Sequence, residues 1–234
     1  MTGERIGPRP ARPGERVEAS VGLLLTTYNS APFIDQALAS IATQTRLPDH
    51  IVLVDDASTD QTVCRARAWQ TRLPLEVVVL PTNGGVSRAR NAGAKLLGTD
   101  LIAILDGDDV VLPDHVELLA DRHRQRGGIV SPKAYFWVPG RRCTPYQRRL
   151  RGLNLPRTGQ LRRLVRKNYV FVASMVSRRD FELVGGYTEG PPHQDMTSDW
   201  DLWLRMVAAG NRVSQAPFAT VLYRVVPGSM ADDT

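Results

Sequence analysis

Leu101-Ile102-Ala103-Ile104-Leu105-Asp106-Gly107-Asp108-Asp109 joins five consecutive apolar side chains directly to a run of carboxylates around one glycine. Apolar residues without alternation describe a strand covered on both faces, and such strands belong to parallel sheets. The carboxylates mark its C-terminal end. Working outward, Val21-Gly22-Leu23-Leu24-Leu25-Thr26-Thr27 is a second run of this kind. Ile51-Val52-Leu53-Val54 is a third, stopping abruptly at Asp55-Asp56, and Glu76 to Leu80 is a fourth, before the turn Pro81-Thr82-Asn83-Gly84-Gly85.

Helical signals fill the gaps. Ser30 and Pro32 mark a start, after which Ile34, Leu38 and Ile41 recur at helical spacing. Ser58 and Gln61 have capping-box spacing for a helix through about Arg72. A third helix is predicted from about Ser87 with Gly98 as its C-terminal cap, and a fourth from Pro113 to Arg126. The order βαβαβαβα gives an α/β fold with a central, mostly parallel sheet flanked by helices. Right-handed crossovers then bring every strand's C-terminal end to one edge, where open α/β sheets bind ligands. Tyr28-Asn29, Asp55-Asp56 and Asp106 to Asp109 meet at that edge. Beyond residue 127, Leu161 to Arg166 predicts a helix and Tyr169 to Val176 a strand; Ser198 opens a helix whose Leu202, Met206 and Ala209 share a face.

At 234 residues and 42% hydrophobic, the chain can bury one sizeable core, so one domain is expected over residues 21–234, with halves 21–126 and 127–234. Residues 1–20, rich in Arg, Pro and Gly, read as a flexible tail. The two cysteines, Cys64 and Cys143, support neither a disulfide framework nor a thiolate zinc site, which suits a reducing, cytoplasmic setting. No apolar run approaches the roughly 18 to 20 residues that span a bilayer. The net charge of +6 hides an asymmetry: residues 122–179 hold 16 of the 30 Lys and Arg and none of the 24 Asp and Glu. Aromatic residues are few in that segment and no recognition-helix pattern occurs there, so no nucleic-acid partner is expected. An anionic acceptor, a lipid phosphate or the inner face of a membrane suits it, as does a merely solvated basic face.

Asp106 and Asp108, two residues apart past a buried strand, can face one cation, with Gly107 allowing the tight turn. A hard divalent ion such as Mg²⁺ or Mn²⁺ takes one or two carboxylates plus substrate phosphates, although an isolated DxD equally describes a solvated acidic turn. Asp55-Asp56 would accept the imide N–H of a uracil or thymine, or else serve as charge at a helix N-terminus. Asn83-Gly84-Gly85 with Ser87, Arg88, Arg90 and Asn91 places backbone N–H groups and two guanidinium groups where a diphosphate would sit; an ordinary strand-to-helix turn has the same composition. Asp199, after Ser198 and Thr197, is a carboxylate in a first helical turn, available either as a proton acceptor or as part of a capping box.

Together these residues resemble the family 2 glycosyltransferases of GT-A fold over about residues 21 to 230. The likeness is carried by Leu25-Thr26-Thr27-Tyr28-Asn29, by Asp55-Asp56-Ala57-Ser58-Thr59-Asp60, by Asn83 to Gly93, by Asp106-Gly107-Asp108-Asp109, by Phe181 to Tyr187, by Ser198 to Arg205 and by Tyr223 to Ser229. It implies a single GT-A, Rossmann-like domain and an inverting, metal-dependent transfer of one sugar from a nucleotide-diphosphate sugar, UDP-sugar favoured. It implies nucleotide contacts from Thr27, Tyr28, Asn29, Asp55, Asp56, Gly85, Arg88, Arg90, Asn91, Asp106 and Gly107. Mn²⁺ or Mg²⁺ would be held through Asp106 and Asp108, and Asp199 would act as base. Ser198 stands where the family usually has Glu, which keeps Asp201 as the alternative base. Val226 stands where many members have His. A non-catalytic, sugar-nucleotide-binding or adaptor protein of the same fold is the competing reading. The processive members' Gln-x-x-Arg-Trp motif is missing, which favours single transfer over polymer synthesis.

Overall fold

A computed structural model describes residues 18–138, 140, 143–145, 158–190 and 198–225. The first half alternates as its apolar runs require: β1 (Val21–Thr27), α1 (Ile34–Ala42), β2 (His50–Asp55), α2 (Thr62–Ala68), β3 (Leu75–Val79), α3 (Val86–Ala94) and β4 (Leu101–Asp106). β3, β2, β1 and β4 lie side by side and parallel. The register sets Thr27 against Asp55 and Thr26 against Asp106, so three strand ends share one edge as expected. All seven β1 residues are buried. Leu23 and Leu25 pack with Ile34, Leu38 and Ile41 of α1 on one face. Leu24 packs with Ala89 and Ala94 of α3 on the other. A Cβ at Gly93 would lie 2.4 Å from Leu24 Cδ1 and 2.7 Å from Val54 Cγ2, so only glycine lets α3 sit this close to the sheet.

The remaining elements extend the sheet with mixed directions: β5 (Val110–Val111), α4 (His115–Arg126), β6 (Ile129–Trp137), β7 (Thr144–Pro145), α5 (Gln160–Arg166), β8 (Met175–Ser177), α6 (Arg178–Leu183), α7 (Ser198–Ala208) and β9 (Val213–Arg224). β8 runs antiparallel to β4, β6 antiparallel to β8, and β9 parallel to β6. β5 pairs antiparallel with β9, Val110 opposite Leu222, which brings Arg224 alongside the carboxylate turn that precedes β5. The product is a single α/β domain with a mostly parallel central sheet flanked by helices.

Several local expectations are corrected. α2 starts at Thr62, and Ser58 is not its cap, because the Ser58 hydroxyl donates to Asp55 and accepts the Asn29 N–H. α3 ends at Ala94, four residues short of Gly98. Of Tyr169 to Val176 only Met175 and Val176 lie in a strand. The Val170 and Phe171 N–H groups go to Asn168 Oδ1 and Ser131 Oγ and that of Ser174 to the Val172 carbonyl, which removes them from any ladder. Ala209 is exposed, and Trp203 joins Leu202 and Met206 in the core instead. The tail expectation falls on residues 1–17, which lie outside the described residues, and on 18–20, of which Ser20 is fastened to Asp100 through its N–H and hydroxyl. Among the described residues no helix is long and apolar enough to cross a membrane.

Candidate active site

The edge formed by the ends of β1, β2 and β4 is acidic by construction, and the structure answers each carboxylate differently. Both oxygens of Asp55 accept from Ser58, through its N–H (2.8 Å) and its hydroxyl. Both oxygens of Asp56 accept backbone N–H groups, from Gly84 (2.9 Å) and Gly85 (2.8 Å). Asp56 therefore staples the glycine turn ahead of α3 to the sheet. Of the turn's backbone N–H groups expected to suit a diphosphate, those of Gly84 and Gly85 are given to Asp56 in this structure. Asn29, at φ 47°, gives its Oδ1 to the Thr59 N–H (2.9 Å), closing the loop after β1 onto the loop after β2. Thr27 is buried with its hydroxyl unpartnered, while the Tyr28 ring is 49% exposed at the strand end.

Arg90 holds a different place from the one its composition suggests. Its side chain is 2% exposed; Nη2 donates to Asp106 Oδ1 and Nη1 to Asp199 Oδ1, each at 2.7 Å. The Tyr187 ring covers it, 5.1 Å from the guanidinium carbon. Two attractive charges outweigh the burial that opposes its ionisation, so Arg90 stays a cation. It joins the carboxylate ending β4 to the one opening α7, instead of reaching outward to a phosphate. Asn91 is also engaged: its Nδ2 donates to the Tyr187 carbonyl (2.9 Å) and Glu189 (2.7 Å), and its Oδ1 accepts the Tyr187 N–H (2.9 Å). It secures the Gly186-Tyr187 corner. Arg88 lies across the glycine turn with Nη1 3.3 Å from Thr82 Oγ1.

Asp199 sits in the first turn of α7, with the side chain 20% exposed. Burial raises its pKa, with Asp106 adding to that rise and Arg90 and the Tyr187 hydroxyl opposing it. Asp201 points elsewhere, accepting from Thr188 Oγ1 (2.7 Å) and from Arg205 Nε (2.9 Å) and Nη2 (2.7 Å). The alternative base is thus committed to a structural pair. Ser198 is itself the first helical residue, and the preceding Thr197 lies outside the described residues.

The Asp106 to Asp109 turn is held from two sides. Gly107 N–H donates to the Thr26 carbonyl at 2.8 Å, and a Cβ there would meet Thr27 Oγ1 at 2.9 Å and Thr26 O at 3.0 Å. Across the turn, the Arg224 N–H donates to Asp109 Oδ1 (2.9 Å), its Nε to the Asp108 carbonyl (2.6 Å) and its Nη2 to Gln36 Oε1 (2.7 Å). The guanidinium carbon lies 4.2 Å from the Trp137 ring centroid and 4.8 Å from that of Phe33. In sequence Arg224 stands out only as part of the segment Tyr223 to Ser229; the signal that marks it is a cation ending a strand, opposite in sign to the other strand ends. Val226 to Ser229 lie outside the described residues.

Asp106 and Asp108 are the residues that could hold a divalent cation. The donor set is oxygen only, which suits a hard ion. Burial, then the Asp106 charge, push Asp108 up to about 6 against the pull of Arg224. Asp109 is raised well above its ordinary value, by burial and then by Asp108 and Asp106. Crowded, desolvated carboxylates of this kind fit a cation as the missing counter-charge. Among the described residues no group of three or more His, Cys, Asp or Glu side chains is arranged to hold a metal ion unaided. Two carboxylates completed by ligand oxygens remain compatible with that.

Comparison with known proteins gives the family and the fold. The family described as Glycosyl transferase family 2 matches residues 23–184, which include every strand-end carboxylate discussed above but not Asp199. An uncharacterized glycosyltransferase of Bacillus subtilis, YwdF, is 31% identical over 205 residues, covering 87% of this chain and 73% of its own. The amylovoran biosynthesis glycosyltransferase AmsE of Erwinia amylovora is 29% identical over 213 residues, covering 88% and 76%. Among solved structures, S. aureus TarS 1-349 in complex with UDP-GlcNAc superposes with a TM-score of 0.73 at 20% identity, over 92% of this chain and 61% of that one. That likeness concerns the GT-A fold.

Proposed function

Starting from the fact that the chain belongs to glycosyl transferase family 2 and is a glycosyltransferase, we propose that it moves one sugar from a nucleotide-diphosphate sugar to an acceptor nucleophile, with inversion and with help from a divalent metal. The observation that carries this reading is the Asp106–Arg90–Asp199 bridge, which unites the end of β4 with the start of α7 at the strand-end edge.

UDP-sugar is the favoured donor, because solved structures of similar fold hold UDP-GlcNAc and UDP. Asp55, buried at the end of β2, supplies a carboxylate for a base imide, and the exposed Tyr28 ring offers it a stacking face. Asp106 and Asp108 would hold Mn²⁺ or Mg²⁺, which when bound would supply charge stabilisation to the departing diphosphate. Asp199 takes the proton from the acceptor as its oxygen forms the new bond to the anomeric carbon. The bond to the diphosphate oxygen breaks with its electron pair leaving on the nucleotide. A carboxylate whose pKa burial has raised is a stronger base for that step. Arg90 bonds Asp199 through Oδ1 and so holds the carboxylate in place at the start of α7.

A thermal-shift panel of UDP-, GDP- and dTDP-sugars with and without Mn²⁺ tests the donor and the metal together. A ligand at about 100 times its Kd stabilises by roughly 2.7 kcal/mol. The expected result is a shift with UDP-sugar that grows with Mn²⁺; no shift with any nucleotide removes the donor assignment. Product anomeric configuration by NMR decides inversion.

A further inference from the structure

We infer that α5 is a membrane-docking element, seating Leu161 and Val165 in an anionic lipid surface while the cations beside them face the headgroups. Leu161 and Val165 are 39% and 61% exposed and stand four residues apart, so they form one stripe on this helix. Arg162 and Arg166 form the adjacent stripe, also exposed, and Lys167 follows directly. The neighbouring face, about 100° round the helix on its other side from the arginines, is spent on the fold: Leu164 is fully buried, and Gln160 donates to the Val213 carbonyl and accepts its N–H at 2.8 Å each. The apolar pair thus lies exposed between that buried face and the arginines, and two large side chains without a partner among the described residues, flanked by guanidinium groups, suit an interfacial position.

Charge selects the occupant. No Asp or Glu occurs from residue 122 to 179, while the rest of the chain carries an excess of acid. An anionic surface attracts Arg162, Arg166 and Lys167, which no carboxylate of their own segment offsets. A neutral protein groove would satisfy Leu161 and Val165 but leave the cations unanswered. A nucleic acid would answer the cations and leave the apolar pair in water.

Docking here reaches the active site. Trp200 Nε1 donates to the Leu164 carbonyl at 2.7 Å, fastening α5 to the first turn of α7 beside Asp199. A bilayer against α5 thus lies on the order of one helix diameter, roughly 10 Å, from the helix end that carries the base. An acceptor built on a lipid would be concentrated at that end. The docking itself does not depend on the donor or metal assignment.

Flotation of the full chain with vesicles of phosphatidylcholine containing about 30 mol % phosphatidylglycerol tests it, with pure phosphatidylcholine vesicles as the comparison. The wild type is expected to float only with the anionic vesicles. The double variant Leu161→Ser with Val165→Ser should bind about tenfold less or weaker still, with an unchanged unfolding midpoint. Arg162→Glu with Arg166→Glu should bind less by a similar factor, and raising salt to about 0.5 M should weaken the wild type. Undiminished binding by the serine variant overturns the proposal, as does equal binding to neutral vesicles. Tighter binding to a polyuridine probe than to vesicles, lost in the arginine variant but not in the serine variant, assigns the surface to nucleic acid instead.

Discussion

Arg90 Nη1 lies 2.7 Å from Asp199 Oδ1, a contact that spans 109 residues of sequence and leaves a guanidinium buried between two carboxylates. Removing one member of a buried, hydrogen-bonded charge set costs about 3–5 kcal/mol, because the others remain in the protein interior without compensation. Arg90→Met is accordingly expected to lower stability by that amount in urea unfolding. Adding Asp199→Asn in the same chain should recover part of the loss, since it discharges one orphaned carboxylate. A double variant no more stable than the single one would mean that the pair is not energetically coupled.

The two aspartates of the first α7 turn make opposite predictions. Asp199→Asn is expected to lower kcat by about 10²–10⁴ while leaving UDP-sugar affinity nearly unchanged, since the proton acceptor goes and the donor contacts stay. Asp201→Asn breaks its ties to Arg205 and Thr188, so its cost should fall on the unfolding midpoint and spare kcat. Calorimetric donor binding beside steady-state kinetics separates the two. Near wild-type turnover in Asp199→Asn would end the base assignment.

Acid stability has a contribution of known sign from His115, which is buried against Thr220 Oγ1 at 2.8 Å, with Nε2 unpartnered. Burial lowers its pKa to about 3. The unfolded chain protonates near the ordinary value of about 6.5 while the folded chain does not, so stability is lost as pH falls from there towards 3. Across roughly three units at about 1.4 kcal/mol each, the upper bound is about 4–5 kcal/mol. His115→Gln is expected to flatten the fall of unfolding free energy between pH 6 and 4, read by urea unfolding at each pH.

The scaffold was far more legible than the contacts across it. Apolar runs ending in Asp55 and Asp106 carry both the burial and the direction of their strands, so the shared edge follows from handedness alone. Arg90 reads as a phosphate ligand because a helix start after a glycine turn ordinarily binds anions. Its real partners are set by how α7 docks, which no local spacing records. Asp56 and Gly85 each carry a legible signal, yet their mutual hydrogen bond exists only once β2 and the turn before α3 are neighbours. Tyr169 to Val176 has strand composition, but side-chain and tight-turn hydrogen bonds claimed its backbone first.

Asp108 shifts stability in the sense opposite to His115, and only a difference measurement isolates it. Its folded pKa is raised to about 6, so the unfolded chain loses the proton first as pH rises from about 4. The folded state then loses stability up to about pH 6, by roughly 3 kcal/mol for two units. Relative to wild type, Asp108→Asn should therefore gain stability across that interval in metal-free buffer. A cation bound by the carboxylates should return the same stability to the wild type alone, so Mn²⁺ at pH 7 is expected to raise the wild-type midpoint and leave Asp108→Asn nearly unmoved. Equal Mn²⁺ shifts in both proteins would place the metal elsewhere.

Arg224 fixes the backbone of that same turn without supplying a ligand. Its guanidinium is stacked between Trp137 and Phe33 while bonding the Asp108 carbonyl and Gln36. Lysine keeps the charge but has neither the flat face nor the fork, so Arg224→Lys should release the turn. The backbone N–H bond to Asp109 survives the substitution, which limits the stability loss to about 1–2 kcal/mol. The expected signature is a rise of about tenfold in the Mn²⁺ concentration needed for half-maximal activity, with kcat at saturating Mn²⁺ changed much less. An unchanged Mn²⁺ requirement would show that the turn keeps its shape without the clamp, and that β9 serves only to close the sheet.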